Sequence, residues 1–289
     1  MTEDEHARAQ LRRALGADVL ALRSLGGQHG AAHFRLTLPG GRAAFAKVAA
    51  RGADQAAGFG AEAAGLRWLG SAGAARVPEV LAVSDDALVI GWLDETGASA
   101  RAAERFGAEL ARLHAAGPDH FGAPWPGVLA GLPLPNDQAA SWPGWYAACR
   151  LLPFARLARD RGSLSPADVA LIESVASRIG QLAGPPEAPS RIHGDCWSGN
   201  VLWSGDRGWL IDPAAHGGHR ESDLAMLALF GAPYPDRIMA AYREAAPLAD
   251  GWRGRVPLHQ LHPLLVHVCL FGGSYREGAL AAARAALRA

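Results

Sequence analysis

His193, Asp195 and Asn200 fall in a single run, HGDCWSGN, and a second carboxylate, Asp212, closes the short apolar segment 209–211. A carboxylate can orient or deprotonate an attacking hydroxyl. An amide oxygen and a second carboxylate suit Mg²⁺, a hard cation that takes oxygen ligands and keeps several of its waters. Phosphoryl transfer from MgATP needs such a set. As a bare pattern, HxDxxxxN followed by an aspartate is only moderately specific, because a capped turn in a loop produces it too.

The other half of the chemistry lies upstream. Of 28 basic residues all but one are Arg, and the chain holds two Asn, Asn136 and Asn200. This bias fits a GC-rich coding sequence, in which a surviving lysine marks either a place where Arg cannot do the same work or a chance survivor. Lys47 ends a strand-like run, the position kinases give to the lysine that contacts the α and β phosphates, and Glu62 lies fifteen residues on, in the next helical segment, placed to hold the ammonium. Gly26, Gly27 and Gly30 sit between two strand-like runs, where backbone amides could approach phosphate; a plain hairpin explains them equally. A Walker A loop is excluded because Ala46 precedes the sole lysine, and neither GxGxxG after a strand nor GxSxG occurs.

These residues must be positioned by recognisable elements. Thr2 and Glu5 form a capping box for a helix to about residue 15. Strand-like runs follow at 19–25, 33–38 and 42–48, then a helix over 59–69, then strands at 77–83 and 87–93. The rest is mainly helical: 100–116, 166–182 behind the Ser165-Pro166 start, 221–230, 235–246, 258–271, and a last helix capped by Ser274 with Glu277. Residues 121–144, rich in Pro, Gly and Trp, are too long for a passive connector and form a candidate binding segment.

Composition narrows the class. The 289 residues balance 28 basic against 28 acidic side chains, which removes any general attraction to nucleic acid or a membrane surface. Hydrophobic residues at 49% point to a globular chain, and no apolar run nears the ~20 residues of a bilayer span. The start, MTEDEHARAQ, is too acidic for a secretory signal, and three scattered Cys form no CxxC pair. The histidines show no metal-ligand spacing. A cytoplasmic protein is expected.

The strings IHGDCWSGNVLW (192–203) and IDPAAHGGHRESDLAML (211–227), with RLLP at 150–153 and HVCLFGGSY at 267–275, resemble the fructosamine kinase (ketosamine 3-kinase) family. The resemblance runs through nearly the whole chain in order. It implies an α+β, two-lobed protein-kinase-like fold: an N-lobe over 1–93 with a five-stranded antiparallel sheet and one inserted helix, and a mainly helical C-lobe over 94–289. It implies that ATP binds between the lobes against Gly26, Gly27, Gly30, Ile90, Gly91, Trp92 and Leu93, with Lys47 and Glu62 as the phosphate-positioning pair. Asp195 would be the catalytic base, and Asn200 and Asp212 the Mg²⁺ ligands. His193 and Asp223 would support the catalytic loop. Trp197, His219 and Glu221 are candidates for substrate contact, against packing for the Trp and a solvated helix start for the other two. The implied reaction phosphorylates the sugar 3-hydroxyl of ketosamines, carried on small amines or glycated protein lysines, in deglycation. Two other readings compete: a related kinase acting on an aminoglycoside, choline or sugar, and a nucleotide-binding pseudokinase. The chain departs from the family at Cys196 (usually Leu), Cys269 (usually Asn) and Gln28-His29 (usually Gly-Cys).

Overall fold

The computed structural model describes residues 2–289. Helix α1 (Glu3–Leu15) starts on the Thr2–Glu5 capping box and stops at Gly16, whose φ of 67° ends the helix in the left-handed region. Strands β1 (Ala21–Gln28), β2 (Ala31–Thr37), β3 (Ala43–Ala49), β4 (Val80–Val83) and β5 (Ala87–Gly91) form an antiparallel sheet in the order β1-β2-β3-β5-β4. Helix α2 (Ala56–Ser71) is inserted between β3 and β4.

Period-two alternation decides which helix each side chain meets. Ala46 and Val48 of β3 join Phe34, Leu36 and the α1 residues Ala7 and Leu11 in one core. Lys47 lies between them in sequence and therefore points to the opposite face. That face packs on α2, whose Phe59, Ala63 and Leu66 cover Leu88 and Ile90. Each of these larger apolar side chains contributes roughly 1.5–3 kcal/mol on burial. Glu62, one turn from Phe59 and Leu66, is carried to the same face as Lys47.

The C-lobe opens with α3 (Ala100–Ala115), capped by Ser99. Residues 92–99 between β5 and α3 hold no helix or strand. A β6–β7 hairpin (Gly127–Leu129, Leu132–Leu134) and short α4 (Trp142–Tyr146) occupy the Pro/Gly/Trp-rich segment. Helices α5 (Leu152–Asp160) and α6 (Pro166–Leu182) follow, then strands β8 (Ser190–Ile192), β9 (Val201–Ser204), β10 (Arg207–Leu210) and β11 (His216–Gly218). Helices α7 (Arg220–Phe230), α8 (Pro235–Ala245), α9 (Trp252–Phe271) and α10 (Arg276–Ala286) complete the chain.

Four local readings need correction. Strand β1 runs on to Gln28, so only His29 and Gly30 form the turn. Strand β4 begins at Val80, not 77. Helix α9 begins at Trp252, six residues before 258, because its helix tolerates Pro257 and Pro263. Ser274 does not cap α10: a short 3₁₀ turn, Gly272–Tyr275, precedes that helix, whose N-cap Tyr275 makes no side-chain cap bond.

Candidate active site

The loop after β8 is fastened from behind. Asp223, in the first turn of α7 and 1% exposed, accepts hydrogen bonds from the amides of His193 (2.7 Å) and Gly194 (2.9 Å) and pairs with His114 Nε2 (3.1 Å). Burial alone would raise the Asp223 carboxyl, but His114 and the neighbouring donors outweigh it and hold it below the ordinary carboxylate value. His193 bridges the loop in the other direction: Nε2 meets the Ile211 carbonyl at 2.9 Å and Nδ1 accepts the Asp195 amide at 3.3 Å. Its burial lowers the imidazole pKa and keeps the ring neutral. Gly194 is required here, since φ is 81° and a Cβ would lie 2.2 Å from the Ala214 carbonyl oxygen.

Asn200 is buried and donates through Nδ2 to the Asp195 carbonyl (2.9 Å) and to Asp195 Oδ2 (2.8 Å). The Ile211 amide donates to the Asn200 carbonyl at 3.1 Å, which brings Asp212 alongside. Burial pushes the Asp195 carboxyl up to about 7; the Asn200 bond opposes this, and the charges of Asp212 and Asp223 add to it.

Lys47 Nζ stands 2.8 Å from Glu62 Oε2 and 2.8 Å from Asp212 Oδ1. Gly65 allows α2 to come this close, because a Cβ there would press on Pro213 and Ala215 at 3.2 Å. Burial works against the Lys47 ammonium, but Glu62 and Asp212 outweigh it and hold its pKa above the ordinary value. Glu62 is pushed up to about 7 by burial, against the pull of Lys47. Asp212 is lowered: burial opposes this, and Lys47 supplies the largest stabilisation of the carboxylate. The structure thus brings Lys47, Glu62, Asp195, Asn200 and Asp212 to one cleft, drawn from sites up to 165 residues apart.

Two cavities flank Asp195. One, of about 230 Å³, lies between the lobes and holds Lys47, Glu62, Asn200 and Asp212 in its wall. The other, of about 400 Å³, lies in the C-lobe behind an aromatic and histidine wall that includes Trp142, Trp145, Tyr146, His216, His219 and His259. Gln28, His29, Leu129, Ala130, Asp195 and Trp197 border both.

Other predicted residues lie elsewhere. The wall of the 230 Å³ cavity contains Gln28 and His29 rather than Gly26, Gly27 or Gly30. Ile90 is buried against α2, and Gly91, Trp92 and Leu93 border a separate recess of about 570 Å³. The register explains the separation: Lys47 is opposite Leu88, so Leu93 lies five residues farther along the chain, roughly 17 Å if extended. Glu221 faces away from the 400 Å³ cavity because Arg255 takes both of its oxygens, at 2.9 and 2.6 Å. His219 borders that cavity but is buried, with Nδ1 accepting the Glu221 amide. Trp197 is 38% exposed at the junction of the cavities.

A family model described as fructosamine kinase matches residues 5–289. The chain belongs to the fructosamine kinase family. It is 34% identical over 223 residues to the protein named "Probable ketoamine kinase YniA" of Escherichia coli strain K12, covering 75% of this chain and 77% of that one. A solved structure from Thermobifida fusca YX-ER1 that bears the fructosamine-3-kinase name superposes with a TM-score of 0.94 at 52% identity, over 98% of both chains. An aminoglycoside phosphotransferase, APH(4)-Ia, solved as a ternary complex with ADP and hygromycin B, shares the fold at a TM-score of 0.64 and 19% identity, over 96% of this chain and 98% of that one. The protein is therefore a phosphotransferase with the two-lobed kinase-like architecture.

The histidine wall of this fructosamine kinase family member was missed, although its signal was present. His259, His262, Pro263, Val266, His267, Leu270 and Phe271 recur at helical spacing on α9, and all border the larger cavity. Burial lowers the pKa of His216, His219, His259 and His262, the last to about 3, so these rings stand as neutral imidazoles. Trp142 and Trp145 are buried and yet border the cavity too. Tertiary structure also brings ligand atoms of His219, Glu221 and His259 within 4.8 Å of one another, which no sequence spacing indicated, but the Arg255 guanidinium already neutralises that carboxylate. Among the described residues no helix is long and apolar enough to cross a membrane.

Proposed function

We propose that the protein transfers the γ-phosphoryl group of ATP to the 3-hydroxyl of ketosamines, on small amines or glycated protein lysines, as a step in deglycation. The observation that carries this reading is the meeting of two cavities at Asp195, one walled by Lys47, Asn200 and Asp212 and the other by aromatic rings and neutral imidazoles. In this reading residues 1–93 cover the nucleotide and residues 94–289 hold the acceptor.

Asp195 takes the proton of the attacking hydroxyl as the oxygen–phosphorus bond forms and the bond to the ADP oxygen breaks. Lys47, oriented by Glu62, contacts the phosphates. Gly91, Trp92 and Leu93, which follow Ile90 away from Lys47, would meet the base end of the nucleotide. Asn200 and Asp212 fit Mg²⁺: Nδ2 of Asn200 is engaged with Asp195, which leaves its amide oxygen to ligate, and Asp212 adds a carboxylate. Bound Mg²⁺ would neutralise phosphate charge. His193 and Asp223 hold the loop, and Trp197 offers a ring face to the sugar.

The larger cavity favours a ketosamine over an aminoglycoside. Its bordering carboxylates are Asp195 and Asp223, and Asp223 is already taken by His193, Gly194 and His114, so it offers little to a polycationic drug. Three buried free cysteines fit the reducing cytoplasm, where ATP is also available. The test is a panel of ketosamines and aminoglycosides scored for ATP-dependent phosphate incorporation, with the modified carbon located by NMR. Phosphate on carbon 3 of a ketosamine is expected; incorporation into aminoglycosides alone overturns the reading.

A further inference from the structure

The six residues that border both cavities are the groups a phosphoryl passing from nucleotide to acceptor can touch on its way. Leu129 and Ala130 are apolar. Asp195 is a carboxylate facing the hydroxyl. The Trp197 ring is an aromatic wall held by Gly199, where a Cβ would lie 2.3 Å from it, and by Phe230, edge-on at 6.1 Å. None of the six is Lys or Arg. Lys47 borders the nucleotide side alone and is tied to Glu62 and Asp212. The flexible polar donors at the junction are therefore Gln28 and His29.

Their position is built into the backbone. Gln28 pairs with Ala31, so His29 and Gly30 are the two central residues of the β1–β2 turn, with φ values of 50° and 80°. Two successive positive φ values define a type I′ hairpin turn. Gln55 Nε2 donates to the His29 carbonyl at 3.0 Å and ties the turn to the start of α2. Below the tip the strands run very close: a Cβ on Gly27 would sit 2.4 Å from the Ala31 oxygen. A second two-residue turn, Ala130–Gly131 (φ 48° and 79°), caps β6–β7 and borders the nucleotide cavity. Two hairpin tips, one from each lobe, thus roof the junction, and the N-lobe tip alone carries polar side chains.

We propose that His29 is a catalytic residue of this chain, whose imidazole N–H donates a hydrogen bond to an oxygen of the phosphoryl group as it crosses, with Gln28 as a neighbouring donor. The proton stays on the imidazole; the contact stabilises charge on the transferring group. The proposal rests on the phosphoryl-transfer reading above and assigns a role to a position where the chain departs from its family.

The test uses His29→Asn, which keeps a residue tolerant of positive φ, and His29→Gly, which keeps the turn and removes the side chain. Both variants are expected to melt like the parent and to bind ADP within about twofold, while kcat falls by about tenfold to a hundredfold. ADP with Mg²⁺ and aluminium fluoride, a mimic of the phosphoryl in transit, should lose affinity by a similar factor without any acceptor present. Imidazole added to His29→Gly should recover part of kcat, which a purely structural role would not allow. Turnover within about twofold of the parent, or an equal loss for ADP with and without aluminium fluoride, overturns the proposal. Because the aluminium fluoride comparison needs no acceptor, a parent enzyme inactive on every ketosamine would sink the substrate reading and leave the His29 result standing.

Discussion

Asp223→Ala separates the support of the catalytic loop from its chemistry. The Asp223 carboxylate is 1% exposed and serves the amides of His193 and Gly194 and the ring of His114, at 2.7, 2.9 and 3.1 Å. Truncation strands three buried partners, each at about 1–3 kcal/mol, or roughly 3–6 kcal/mol once the loop relaxes. For a chain of this size, at about 2–4 °C per kcal/mol, Tm should fall by roughly 6–24 °C. Asp212→Ala should behave differently. Asp212 is half-buried, and Glu62 still holds Lys47 when it is gone, so Tm should fall by no more than about 4 °C. What it should lose is the stabilisation given by MgATP, which Asp223→Ala should keep in larger part. Thermal shifts of the three proteins with and without MgATP make the comparison. Equal loss of Tm and equal loss of MgATP stabilisation in both variants would refute the division of roles. The pH dependence adds a check. The Asp223 carboxyl is lowered on folding, so its contribution is present above the unfolded pKa and is lost as pH falls through the folded one. The Tm gap between parent and Asp223→Ala should therefore be full above about pH 5 and close below about pH 4.

Asp195→Asn should lower kcat by roughly a hundredfold or more with the fold intact, and near-parental turnover would remove Asp195 as the base. The Asp195 carboxyl, pushed up to about 7, accepts a proton only once ionised, so kcat/KM should rise with pH through about 7, and a flat profile over pH 6 to 8 would contradict this. Lys47→Arg should crowd the phosphate site and cut kcat/KM for ATP by about tenfold to a thousandfold, although Arg serves at every other basic position. An acyl-phosphate analogue of ATP has Lys47 and the N-terminal amine available to it; labelling of Lys47 should be suppressed by excess MgATP, and slow labelling indifferent to MgATP would make Lys47 a bystander.

Short-range rules govern the part of this protein that is legible in its residues alone. The capping box at Thr2, the Ser165-Pro166 helix start, the five strands with one inserted helix, and the HGDCWSGN loop each depend on residues within a few positions of one another, so their spacing is enough to read them. Lys47 and Glu62 were legible as a pair because a strand followed by a helix carries one residue to the other through a single reversal. The tertiary structure decided what each side chain faces. Glu221 looked like a substrate contact until α9 supplied Arg255 from 34 residues away, and Ile90 looked like a nucleotide contact until α2 covered it. The histidines of α9 had helical spacing all along, but spacing shows only that they share a face, and α7 and α4 determine that the face borders a cavity. Local hydrogen bonding is fixed by neighbours in sequence; a cavity is where many weak, long-range packing contacts stop short of filling space, and that sum has no short-range signature.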